Sequence, residues 1–97
     1  MTKLEEKLQE LGYEFDHYEI FTRKNVYKKL IGDIDSSIIF IYTNKDINEI
    51  TTYYVINGIV KSQIHINNLQ QAFNEMQKDL EVLREYENVE GDNWRNS

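Results

Sequence analysis

From Asn67 to about Tyr86 the apolar residues Leu69, Phe73, Met76, Leu80 and Leu83 recur at alternating steps of four and three. On a helix that spacing gathers them into one stripe and turns Gln70, Gln71, Glu75, Gln77, Lys78, Glu81 and Glu85 toward water. A stripe of this kind has to be covered. At barely two heptads it is short for a coiled-coil seam, so the pattern predicts a helix laid across a sheet of the same chain. On that reading Leu80→Ala costs about 2–5 kcal/mol in urea unfolding.

The rest of the chain is large enough for one such sheet and no more. Ninety-seven residues make a single domain with a thin core. The absence of cysteine removes disulfides, thiolate zinc sites and a thiol nucleophile. Charges at Lys3, Glu5 and Glu6 stand where a signal peptide needs an apolar run, and no stretch approaches the roughly 18 apolar residues of a membrane span. A soluble, cytoplasmic protein is the expectation. The net charge of −6 repels phosphate backbones and disfavours nucleic acid as a partner.

Local signals fill in the remaining elements. Leu4, Leu8 and Leu11 repeat at four and three behind Thr2 as N-cap, and Gly12 stands where a helix ends, so residues 3–11 form a short helix. From Tyr13 to Ile31 the residues are aromatic and β-branched, interrupted by the hairpin-like Thr22-Arg23-Lys24-Asn25. The unbroken run Ile38 to Tyr42 predicts a central strand, followed by turn chemistry at Asn44-Lys45-Asp46. Asn57-Gly58 between Ile50–Ile56 and Ile59–Ile66 predicts a two-residue type I′ hairpin, with Ile56 opposite Ile59 and Thr51 opposite Ile64. Asn67 or Asn68 then caps the long helix. The fold class is therefore α+β: a short N-terminal helix, an antiparallel sheet of four or five strands, and a long C-terminal helix packed on one face. Residues 1–86 make the domain and residues 87–97, charged and without periodicity, a disordered acidic tail.

Candidate chemistry is sparse. Asp33 and Asp35 lack the further oxygens of a calcium loop and read as a solvated turn. His17 and His65 sit in no ligand spacing and beside no nucleophile pattern. Arg23, Lys24, Lys28 and Lys29 bracket Val26-Tyr27, a basic–aromatic interleaving that is weak as a nucleic-acid signal beside the net charge of −6 and is better explained by edge-strand lysines. No catalytic residue, metal ligand or cofactor-binding residue is assigned, and a non-enzymatic role is expected. Seven tyrosines are many for this length, and Tyr53 and Tyr54, on opposite faces of their strand, are the best interface candidates. Seven acidic against two basic groups from Glu75 to Asp92 make an acidic strip, with Glu75, Asp79, Glu81 and Glu85 on the helix, able to sit in a basic groove.

Three segments carry a resemblance: Leu4-Glu5-Glu6-Lys7-Leu8 with Leu11-Gly12-Tyr13; Val26-Tyr27-Lys28-Lys29; and Asn67 through Leu80. In these the chain resembles small phage and prophage proteins of low-GC Gram-positive bacteria. The resemblance implies a small accessory protein in the cytoplasm of a bacterial host cell, where many such proteins bind and inhibit host or defence proteins. The expected function is a protein-binding module with a host protein as partner and no cofactor. The alternative is a structural or assembly protein that self-associates, for example as a homodimer, through the C-terminal helix or a sheet edge.

Overall fold

The computed structural model describes residues 2–32, 37–44, 46–56 and 63–88, with 63–68 as backbone only. The order is α1 (Lys3–Glu10), β1 (Glu14–Glu19), β2 (Lys24–Ile31), β3 (Ser37–Asn44), β4 (Glu49–Ile56) and α2 (Gln63–Leu83), closed by a 3-10 turn at Arg84–Tyr86. The four strands form an antiparallel meander in the order β1-β2-β3-β4, with α2 laid across one face. This is the α+β architecture expected from the periodicities.

Helix α1 starts on a full capping box: Thr2 Oγ1 accepts from Glu5 N, and Glu5 Oε1 accepts from Thr2 N. It ends at Leu11, and Gly12 turns the chain with φ +99°, a conformation a side chain would strain. The central place of β3 matches the sequence reading; the β1–β2 turn falls at residues 20–23, two earlier than the expected Thr22–Asn25, because Lys24 and Asn25 pair with Glu19 and Tyr18 in the sheet. Asn44 shapes the β3–β4 turn, its Oδ1 accepting from Asp46 N and Ile47 N.

The core lies between the sheet and the helices. Tyr27, Ile31, Ile39, Ile41 and Ile50 meet Leu4, Leu8, Tyr13, Ala72, Met76, Leu80 and Leu83. The stripe on α2 is thus covered by strands of its own chain, but it is rotated from the expected one. Ala72 and Asp79 are buried in it while Phe73 stays 45% exposed. Four-three spacing admits both sets, and the small Ala72 lets the helix backbone approach the sheet where a phenylalanine would hold it off.

Two expectations at the ends of α2 fail. Ile64, His65 and Ile66 lie in α2, so the strand predicted for 59–66 does not extend over them and the pairing of Thr51 with Ile64 does not exist. Asn57-Gly58 and residues 59–62 fall outside the described residues, as do Asp33 and Asp35. Ile66 also stands three before Leu69 and seven before Phe73, so the helical period competes with β-propensity here and wins. Asn67 and Asn68 accordingly lie within the helix rather than capping it. At the other end, Glu87 and Asn88, expected in the disordered tail, are fastened to β4: Glu87 Oε2 accepts from Ile50 N at 2.8 Å, Asn88 N donates to Asn48 O, and Asn88 Nδ2 donates to Glu49 Oε1. Residues 89–97 lie outside the described residues.

Candidate docking surface

Strand alternation splits the sheet into two chemically different faces. Facing the helices are Tyr27, Lys29 and Ile31 of β2, Ile39 and Ile41 of β3, and Tyr53 and Val55 of β4, which stand opposite one another in the register. The open face carries Val26, Lys28 and Leu30 against Ile38, Phe40 and Tyr42, and these against Ile56, Tyr54 and Thr52. No helix among the described residues covers it.

The open face is ordered by its own side chains. Val26 is fully buried yet belongs to none of the helix-side packing. Phe40 stacks on Tyr54 with ring centroids 5.4 Å apart, Tyr42 lies 5.8 Å from Tyr54 at a tilt, and the two tyrosine hydroxyls share a hydrogen bond of 2.9 Å. That bond, helped by burial, pushes the Tyr42 hydroxyl up to about 12. Beside the aromatics runs a cross-strand row, Leu30–Ile38–Ile56, whose outer members are 57% and 46% exposed. Along the β1 rim Asp16 bridges Lys28 at 3.0 Å and His17 at 2.7 Å, which holds its carboxyl below the usual range.

The residues expected to bind a partner are scattered. Tyr54 is on the open face, at the centre of the aromatic group. Tyr53 is on the helix side, with the Arg84 guanidinium 5.7 Å over its ring. Glu75 and Asp79, one turn apart on α2, point to β2, Glu81 is exposed on the far side of that helix, and Glu85 is exposed in the 3-10 turn that follows it. Asp79 is 3% exposed and accepts from the Tyr13 hydroxyl at 2.9 Å and from Lys29 Nζ at 3.0 Å. Lys29 Nζ also donates to Glu75 at 2.7 Å and lies over the Tyr13 ring. Burial works against the Lys29 charge, yet the two carboxylates outweigh it and raise its pKa, while Lys29 lowers that of Glu75. Burial and Asp79 together drive the Tyr13 hydroxyl far upward. Two of the seven acidic groups of the expected strip, Glu75 and Asp79, are therefore an internal fastening.

The basic cluster is dispersed in the same way. Arg23 forks onto Asp46 at 2.9 and 3.0 Å, Lys28 pairs with Asp16 on one face, and Lys29 is spent on α2 on the other. Comparison of the chain with protein-family models, with curated proteins and with solved structures returned no match. Among the described residues no three His, Asp or Glu side chains gather in a metal-binding arrangement, and no helix is long and apolar enough to cross a membrane. A polar cavity of about 200 Å³ opens between Thr2, Glu5, Asn25, Thr43, Asn44 and Asn48. Sequence reading did not single out Ile38, Phe40, Tyr42 or Leu30 for the surface, because an unbroken apolar run marks a central strand without saying whether both faces are covered, and Leu30 reads only as part of the apolar stretch before it. Only the neighbours of the central strand show that the second face stays open.

Proposed function

We propose that this chain is a non-enzymatic protein-binding module that docks a host protein on its open sheet face. The observation that carries the reading is the Phe40–Tyr42–Tyr54 group, held rigid by stacking and a hydroxyl pair, beside the exposed Leu30–Ile38–Ile56 row. Rigid aromatic groups flanked by aliphatic side chains are what concentrated binding energy needs, since little freedom is lost when the partner arrives. The resemblance to small phage and prophage proteins supports a cytoplasmic setting in a bacterial host cell, with a host or defence protein as the inhibited target. Glu81 on α2 and Glu85 in the 3-10 turn, both exposed, remain available to a basic surface; Glu75 and Asp79 are committed to Lys29. Affinity capture from host lysate tests the reading: Tyr54→Ala and Leu30→Lys should abolish retention of a protein that the unaltered chain holds, at unchanged circular dichroism, and retention by both variants would refute it.

The alternative, self-association, is favoured by the form of the aliphatic row, which a two-fold axis would pair with itself. The other two routes are weaker. The stripe on α2 is consumed by the sheet, and of the two sheet edges β1 is charged with a bulge between Phe15 and His17, while β4 has its first residues engaged by Glu87 and Asn88. Light scattering at micromolar concentration separates the two readings: a dimer that Leu30→Lys dissolves supports the alternative, a monomer the first.

A further inference from the structure

Tyr42 and Tyr54 stand on adjacent strands and on the side of the sheet turned away from the helices, since they alternate with Ile41 and Val55 of the core packing. In the register Tyr54 lies opposite Phe40 and Tyr42 opposite Thr52, which makes the two tyrosines diagonal neighbours. Their side chains lean together across that diagonal. The ring centroids are 5.8 Å apart at a tilt of 42°, while the hydroxyl oxygens are only 2.9 Å apart, so the rings converge toward their hydroxyl ends. Phe40, stacked on Tyr54 at 5.4 Å, supports one ring from the side, and both tyrosines are half-buried.

Convergence at the hydroxyl end has a chemical meaning. A phenol that loses one electron together with its hydroxyl proton becomes a phenoxyl radical, whose unpaired spin is shared between the oxygen and the ring carbons Cε1 and Cε2. Those carbons flank the hydroxyl, at the end of each ring where Tyr42 and Tyr54 come together. Other tyrosines are placed differently. Tyr13 and Tyr27, each 2% exposed, turn their hydroxyls to Asp79 and Glu5, and the rings of Tyr53 and Tyr86 lie under the cations of Arg84 and Lys7. Those four contacts are with a carboxylate or a cation, not with a second phenol.

We infer that Tyr42 and Tyr54 are an oxidative cross-linking site, joined ring to ring by hydrogen peroxide acting through a haem peroxidase. Each phenol gives up one electron and one proton, and the two radicals form a single bond between a Cε carbon of each ring. The hydrogen on each of those carbons then moves to the oxygen of its own ring, so both hydroxyls are restored. Two electrons and two protons leave in all, and hydrogen peroxide takes them up to give two molecules of water. The product ties β3 to β4 across the open face and fixes the aromatic group there. Because the two rings are already neighbours, coupling within the chain outruns coupling between chains in dilute solution. The site depends on the pair alone, not on whether a partner docks on this face.

The test treats the full chain at micromolar concentration with hydrogen peroxide and a haem peroxidase. The expected product is a monomer lighter by two hydrogens, with the blue fluorescence of dityrosine. Trypsin, cutting after Lys45, should release the peptide that carries Tyr42 covalently bound to the one that carries Tyr54, and fragmentation should place the link at those two residues. Tyr54→Phe should lower the yield of cross-linked monomer about tenfold or more, whereas Tyr53→Phe, on the other face of the same strand, should leave it unchanged. Unfolding the unaltered chain in urea before oxidation should lower the yield as well, a measurement that needs no variant to fold. A link through any other tyrosine, dimers as the main product, no cross-link at all, or a yield that Tyr54→Phe leaves intact would each overturn the site.

Discussion

Lys29, Asp79 and Tyr13 form a polar group locked between β2, α2 and the exit from α1. Asp79 is the shared acceptor, so its removal leaves the buried Tyr13 hydroxyl without its partner and Lys29 paired with Glu75 alone. Asp79→Ala should cost about 1–3 kcal/mol in urea unfolding, whereas Glu81→Ala, two residues on but facing water, should stay within about 0.5 kcal/mol. The acidic pattern in the sequence cannot separate these two carboxylates by composition. Spacing can: Asp79 stands three after Met76 and four before Leu83, on the buried side, and that signal was available. What spacing lacks is its partners, since Tyr13 lies 66 positions away. At the open face, spectrophotometric titration should find one tyrosine near pH 12, and Tyr54→Phe should bring it down toward 10 by removing the hydroxyl that Tyr42 shares.

Among the elements, α1, the first hairpin and the central strand were legible because their signals are local: a capping box, a glycine at positive φ, a polar turn between β-rich runs. The N-terminal end of α2 was not. Ile59–Ile66 satisfies strand propensity and, from Ile66 on, helical spacing too, so the two local signals overlap where the helix has already begun. The exit from the same helix was misread for a different reason. Glu87 and Asn88 look like solvated tail residues, yet their side chains serve backbone and carboxylate groups at the start of β4, and Asn88 adopts φ +62° to reach them. Truncation after Tyr86 should therefore cost about 1–3 kcal/mol in thermal or urea unfolding, whereas truncation after Asn88 keeps this clasp.

For the whole molecule, the shifted groups define a plateau of stability in pH. Glu5 is buried in part, which works against its charge, but Thr2 N and the Tyr27 hydroxyl outweigh this and lower its pKa, as Lys29 does for Glu75. Their contribution is complete above the ordinary value of 4.5 and is lost as pH falls through the lowered folded-state values. Tyr13, Tyr27 and Lys29 are raised, so theirs is complete below ordinary values of 10.0 and 10.5 and is lost as pH rises beyond them. Melting temperatures should hold between about pH 5 and 9.5 and fall on both sides; a monotonic rise toward acid would contradict this.

The meander has a consequence for synthesis. Every strand pairs only with its neighbour in sequence, so the sheet can assemble while α2 is still inside the ribosome. Until Leu83 emerges, the inner side of that nascent sheet, with Tyr27, Ile39 and Ile41, has no cover from α2, and the interval is the chain's period of greatest exposure to chaperones and to aggregation.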